Sequence, residues 1–248
     1  MPLITSSLPQ RPDLVAAVDA AWPHIAMPGA TWTGTERVAI AGEARAAQVC
    51  QLCADRKTAL SPYHVPGEHA TMTPLPLPAV DAVHRIVTDP ARLTERWLRS
   101  TVDSGLSEPQ YVELVAVVAT LVAVDTLALA LGVPPPELPS PAHGRPSGHV
   151  AREAVVHSAW VPTVSPDAAR GELAELYRDR LTNRWGFVGN VNRALTLVPE
   201  EQLMMCSLLE AMYGPMAQMG GGVALRALAP AQIELVAATV SAVNGCFY

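Results

Sequence analysis

Two cysteines three residues apart, Cys50 and Cys53, are the residues of this sequence best suited to chemistry. Side chains at this spacing lie next to each other across one turn of a helix, where two thiols can form a reversible disulfide. Glu43 precedes Cys50 by seven residues and therefore falls on the same helical face. Because attack by a cysteine requires the thiolate, Glu43 is a candidate base for the pair. This constellation predicts redox chemistry.

Zinc binding is the alternative for the same two cysteines. The set Cys50, Cys53, His64 and His69 has a spacing close to that of zinc ligands. A proline and a glycine between the two histidines prevent both from lying on one short helix. A third interpretation is that the two cysteines are small buried thiols of the core. The sequence leaves these three interpretations open.

Three acidic residues in apolar segments also need partners, namely Glu43, Glu113 and Asp125. A buried carboxylate must be paired, protonated or bound to a metal. We expect ion pairs, and the available partners are Arg37, Arg45 and His69. A helical bundle with inward acids and a histidine can also hold a metal.

The dithiol is predicted to lie on one helix, residues 36–59, which is rich in strong helix formers. Thr33 or Thr35 can cap its start, and a Ser-Pro pair follows its end. Cys50 and Cys53 then lie late in the helix, where the dipole disfavours a thiolate. The compensating positive charge would come from Arg45, Arg56 or Lys57.

Composition favours a fold of closely packed helices. Of the 248 residues, 50% are hydrophobic but only 5% are aromatic, which suits helices better than a β-sandwich. We therefore predict an all-α fold. A net charge of −6 without a basic cluster argues against nucleic acid as a partner. Four cysteines and no secretory signal indicate a reducing, cytoplasmic location, and the hydrophobic composition predicts a homo-oligomer.

Eight further helices are predicted, the first of them ending before Pro23. They span residues 13–22, 79–87, 91–103, 111–131, 168–181, 190–197, 200–213 and 231–248, with a glycine-rich break at 220–222 before the last. Residues 133–149 contain six prolines and are predicted to be a linker.

One segment, residues 114–133, is long and apolar enough to cross a membrane. Asp125 lies near its middle, where it would cost about 3 kcal/mol in lipid. We therefore interpret the segment as a buried helix of a soluble bundle and expect no membrane partner.

The last segment, AQIELVAATVSAVNGCFY (231–248), resembles the active-site helix of the AhpD-like alkylhydroperoxidase/carboxymuconolactone decarboxylase family. In that family a glutamate precedes a Cys-x-x-Cys by twelve residues, as Glu234 precedes Cys246 here. The segment NVNRALTLVPEEQLMMCSLLEAMYG (190–214) resembles the family's peroxidase-related branch. The resemblance implies two related AhpD-like helical units, residues 1–132 and 150–248, on either side of the linker 133–149.

The resemblance also implies roles for individual residues. In the family the second cysteine attacks and the first resolves, so Cys53 would attack peroxide and Cys50 would close the disulfide. By the same resemblance Glu234 would be the proton relay beside Cys246, whereas Glu43 and His69 are candidate catalytic residues of the first pair from their residue types alone. The family's next cysteine would be residue 249, and we expect the natural chain to continue past Tyr248. The first unit departs from the pattern, since Val38 and Lys57 occupy the family's glutamate and histidine positions.

The expected function is therefore that of a thiol-dependent hydroperoxide reductase. Its substrate would be a small peroxide or organic molecule, its reductant a thiol protein, and it would need no cofactor unless zinc occupies the cysteines. Three alternatives are a non-catalytic helical scaffold, a decarboxylase-like enzyme acting on a small organic acid, and a zinc-stabilised domain.

Overall fold

The computed structural model describes residues 2–71, 73–183, 185–216 and 227–246. Of these, 56% are helical, and they contain no strand beyond an isolated bridge between Val155 and Thr163. The predicted all-α class is confirmed. The α-helices among these residues are α1 (Pro12–Ala26), α2 (Gly34–Ala47), α3 (Gln51–Thr58), α4 (Leu77–Thr88), α5 (Glu95–Asp103), α6 (Glu108–Ala130), α7 (Gly171–Leu176), α8 (Pro199–Met212) and α9 (Pro230–Val243).

The helix predicted over residues 36–59 is in fact two helices, which corrects the position of the dithiol. Thr33, one of the two predicted caps, caps α2 in a reciprocal arrangement with Glu36, but α2 ends at Ala47. The chain turns through residues 48–50, and α3 begins directly after Cys50. No glycine or proline lies at this break, so local propensity does not dictate it. The break is favoured instead by tertiary packing, since α2 and α3 both pack against α4.

The first helix also differs from its prediction, because α1 continues through Pro23 to Ala26. Proline inside a helix removes one backbone hydrogen bond and normally ends or kinks the helix. Here Trp22, Ile25 and Ala26 are buried on either side of the proline, and this burial favours the continued helix.

Helix α6 lies at the centre of the main core and packs against α1, α2, α4 and α8. Its start is capped by Ser107, and Gly132 follows its end with a φ of 70°. Among the described residues, α6 is the helix long and apolar enough to cross a membrane by length and composition, and 56% of its most apolar window is buried in the fold.

A buried ion-pair network joins α2, α6 and α8. Nη1 of Arg37 lies 2.6 Å from Glu113 and 2.6 Å from Glu201. About two turns further along α2, Arg45 binds both oxygens of Asp125 at 2.9 and 2.8 Å. The ion pairs predicted for Glu113 and Asp125 are therefore confirmed, and Glu201 is an additional member that the sequence did not indicate.

The proline-rich segment 133–149 contains no helix or strand, as predicted. It is nevertheless bound to the helices before it. Trp22 donates to the carbonyl of Glu137 at 3.1 Å, and the amide of Ala142 donates to Ala26 at 2.9 Å. Beyond this segment, α8 packs against α1 and α6, and Leu208 joins the main core. The division into two related units stays a prediction.

Candidate functional site

Four sulfur and nitrogen donors converge where α3 meets α4. They belong to Cys50 and Cys53 at the start of α3, His69 in the following loop, and His84 on α4, and all four atoms lie within 4.8 Å of one another. Nδ1 of His69 lies 3.5 Å from the sulfur of Cys50 and 3.7 Å from that of Cys53. Nδ1 of His84 lies 3.2 Å from the sulfur of Cys53. Both cysteines are free thiols.

The break after α2 gives the cysteines a favourable position for a thiolate. Cys50 is the N-cap of α3, and Cys53 is the third residue of that helix. The positive end of a helix dipole stabilises an anion in the first turn. The expectation that the dipole opposes a thiolate at this pair is wrong, because that expectation assumed a continuous helix.

Each histidine of the group is held by a carboxylate on its far nitrogen. Nε2 of His84 lies 3.0 Å from Glu43, and Nε2 of His69 lies 3.1 Å from Asp81. In both rings Nε2–H donates to the carboxylate, so Nδ1 faces the sulfurs. These contacts fix the orientation of both imidazole rings.

The two carboxylates are themselves held in place. Glu43 accepts hydrogen bonds from the hydroxyls of Thr71 and Thr73, the latter at 2.6 Å. Asp81 accepts from Arg56 at 2.8 Å and from the indole of Trp97 at 3.2 Å. The donors leave neither carboxylate free to turn toward the sulfurs.

The electrostatics of the group favour a thiolate at Cys53. Burial, the largest single influence, raises the pKa of Cys53, but hydrogen bonds with His69, His84 and Thr88 together lower it to about 6. For His69 burial has the opposite effect and lowers the pKa, but the contacts of the ring with Asp81 and the two cysteines raise it to about 10. These shifts favour a thiolate at Cys53 and an imidazolium at His69 near neutral pH.

A small cleft of about 280 Å³ opens beside the thiols, with Ala47, Gln48, Lys57 and Thr88 in its walls. Cys50 is half-buried at this cleft, whereas Cys53 is only 3% exposed. A cleft of this volume suits a small molecule.

The structure brings together four of the residues predicted from the sequence, which are Cys50, Cys53, Glu43 and His69. It adds His84 and Asp81, which the sequence analysis missed. Both lie on α4 three residues apart, and a histidine among the apolar residues of that helix was the available signal. The proposed zinc set needs one correction, because His64 is exposed in a short turn and the fourth donor is His84.

The second predicted site lies apart from this group. Glu234 is exposed on α9 and bonds with Tyr213, and Cys246 is an exposed free thiol. Cys206 is buried, and burial is the main cause that raises its pKa to about 11. The glycine-rich break at 220–222 and the terminal Phe247 and Tyr248 lie outside the described residues.

No protein-family model, no curated protein and no solved structure matches this chain. The resemblance to the AhpD-like family therefore stays a prediction.

Proposed function

We propose that this chain is a thiol-dependent reductase of small hydroperoxides, with Cys53 as the attacking residue and Cys50 as the resolving residue. The observation that carries the proposal is the position of the Cys53 sulfur, which contacts the rings of both His69 and His84 beside a second thiol. Each ring is held by a carboxylate, so the contacts are built into the fold. An inert pair of core thiols has no need of such partners.

The first step is attack of the Cys53 thiolate on one oxygen of the peroxide bond. The O–O bond breaks, Cys53 becomes a sulfenic acid, and the departing alkoxide takes a proton to leave as an alcohol. His84 and His69 both reach the reacting sulfur through Nδ1, so either ring can deliver that proton. The cleft beside the thiols admits the peroxide.

The second step is attack of Cys50 on the sulfur of the sulfenic acid. An S–S bond forms, the S–O bond breaks, and the hydroxyl leaves as water after taking the proton of the Cys50 thiol. His69, at 3.5 Å from the Cys50 sulfur, is placed to move this proton. A thiol reductant, which we propose to be a small protein dithiol of a reducing compartment, then returns the disulfide to two thiols.

The test is a single-turnover reaction of the reduced, chelator-treated protein with one equivalent of cumene hydroperoxide. We expect one equivalent of the corresponding alcohol and a loss of two hydrogens from the peptides that carry Cys50 and Cys53, both reversed by dithiothreitol. Cys53→Ser should abolish alcohol formation, Cys50→Ser should stop at a sulfenic acid that dimedone traps, and Cys206→Ser is the matched control. Absence of alcohol from a folded wild-type protein, or overoxidation of both thiols without a disulfide, would contradict the proposal.

A further inference from the structure

We propose that Cys50, Cys53, His69 and His84 also form a tetrahedral binding site for Zn²⁺ when the two thiols are reduced. This inference goes beyond the proposed reductase activity, because it requires only the arrangement of the four donors. Each residue contributes one donor atom, two sulfurs and two nitrogens in all. Thiolates and imidazoles together are the donors that favour zinc, whereas Mg²⁺ and Ca²⁺ require oxygen ligands.

The distances between donors fit a tetrahedral zinc ion. Zinc binds sulfur at about 2.3 Å and nitrogen at about 2.0–2.1 Å, so adjacent sulfur and nitrogen donors of a tetrahedron lie about 3.6 Å apart. The sulfur–nitrogen distances in the group are 3.5 Å for Cys50 and His69, 3.7 Å for Cys53 and His69, and 3.2 Å for Cys53 and His84. These three distances lie within a few tenths of an ångström of the tetrahedral value, and all four donor atoms lie within 4.8 Å of one another, so an ion fits between them after the side chains adjust.

The hydrogen bonds that hold the two histidines also favour a zinc site. Histidines that bind zinc commonly donate their second ring nitrogen to a carboxylate, which fixes the ring and strengthens the ligand. Both histidines of the group do so, His84 to Glu43 and His69 to Asp81. The two rings also lie side by side, with centroids 4.1 Å apart. Disulfide formation needs only one such histidine beside the two thiols, whereas this group has two, each held by its own carboxylate.

All four positions around the ion are filled by protein side chains, so we assign the site to the closed, non-hydrolytic class. His84 is fully buried and Cys53 is 3% exposed, which leaves little room for a water ligand. The ion would connect the start of α3, the loop after it and α4.

Zinc and peroxide would compete for the same sulfurs, a consequence that rests on the proposed function. One hydroperoxide and two protons convert the two zinc-bound thiolates into a disulfide, one alcohol and one water, and the Zn²⁺ ion is released. A bound ion would thus protect the reduced thiols, and oxidation would free the ion.

The experiment is titration of the reduced, metal-free full chain with Co²⁺, followed by displacement with Zn²⁺. We expect one equivalent of Co²⁺ to give the intense visible bands of a tetrahedral ion and a near-ultraviolet sulfur-to-cobalt band, with Zn²⁺ removing both. His84→Ala should weaken zinc binding by more than about 100-fold, the upper range for loss of a residue behind a ligand. His64→Ala, at the exposed histidine that the structure leaves out of the group, is the matched control and should bind as wild type.

A second measurement on the unmutated chain guards against variants that fail to fold. Alkylation of the thiols with N-ethylmaleimide should abolish the cobalt spectrum, and this outcome does not depend on any reaction with peroxide. Octahedral cobalt bands, no binding by wild type, or equal binding by wild type and the alkylated protein would each overturn the proposal. Failure of peroxide reduction alone would leave it standing.

Discussion

The carboxylate of Glu43 lies 3.0 Å from Nε2 of His84, and both side chains are buried from solvent. Glu43 is on α2 and His84 is on α4, so their contact depends on the packing of these two helices. The hydrogen bond holds the His84 ring with Nδ1 against the sulfur of Cys53 at 3.2 Å. Glu43 therefore acts on the thiol through the histidine and is a positioning residue.

Glu43→Gln should disturb this arrangement with little change in volume. We expect the rate of alcohol formation from hydroperoxide to fall by at least about tenfold, because the neutral amide no longer stabilises a protonated His84. Zinc affinity should fall by about 10- to 100-fold. Stopped-flow kinetics and competition with a zinc indicator measure the two effects, and Glu68→Gln, at an exposed glutamate of the adjacent loop, is the control. Wild-type values for both would show that Glu43 does not act through His84.

The thiols of Cys53 and Cys206 should react with an alkylating reagent over different pH ranges. Burial raises the pKa of Cys53, but its hydrogen bonds with His69 and His84 lower it to about 6, whereas burial raises the pKa of Cys206 to about 11. In metal-free protein the alkylation rate at Cys53 should therefore reach half its maximum near pH 6, while Cys206 stays unreactive at neutral pH. Iodoacetamide labelling followed by peptide mass spectrometry gives both profiles. A Cys53 profile centred near 8.5, the value of a free thiol, would contradict the expectation.

The choice of the two thiols, Glu43 and His69 as site residues followed from residue type and spacing, but their arrangement on separate helices and the completion of the site did not. His84 and Asp81 reach the group because α4 packs on α2 and α3, a long-range relationship that no local pattern encodes. The break at residues 48–50 has the same origin. By contrast, local sequence was sufficient to predict the extent of α6, because a capping serine marks its start and a glycine follows its end.

Arg37→Met should destabilise the fold strongly. The guanidinium is fully buried between Glu113 and Glu201, and its removal would leave two buried carboxylates without their cation. Breaking a buried ion pair in this way costs about 3–5 kcal/mol of unfolding free energy. The matched control is Arg45→Met, whose side chain is partly exposed to solvent, and we expect a cost of about 1 kcal/mol or less there. Urea unfolding at neutral pH compares the two variants.

Glu201 should make the stability of the protein sensitive to acid. Burial, the largest influence, raises the pKa of Glu201, but its contacts with His24 and Arg37 together lower it below the usual 4.5. A group with a lowered pKa in the folded state stabilises the fold above its unfolded pKa, and this contribution is lost as the pH falls through the folded value. The unfolding free energy of wild type should therefore decrease below about pH 4.5. Glu201→Gln should be less stable at pH 7 and show a shallower decrease between pH 5 and pH 3 in urea titrations. Parallel curves for the two proteins would rule out this role.

Two glycine-to-alanine substitutions should change stability in opposite directions. A Cβ atom at Gly29 would collide with the carboxylate of Glu113 and the guanidinium of Arg37, which hold each other in the buried ion pair. Such overpacking costs about 1–3 kcal/mol, because neither charged group can move without leaving its partner. At Gly42, inside α2, the nearest atom to a new Cβ is Cδ1 of Leu138 at 3.8 Å, an ordinary contact. Gly42→Ala should therefore raise the unfolding free energy by about 0.5–1 kcal/mol through the higher helix propensity of alanine. Chemical unfolding of both variants measures this difference, and a Gly29→Ala protein as stable as wild type would mean that the Arg37 network has room to rearrange.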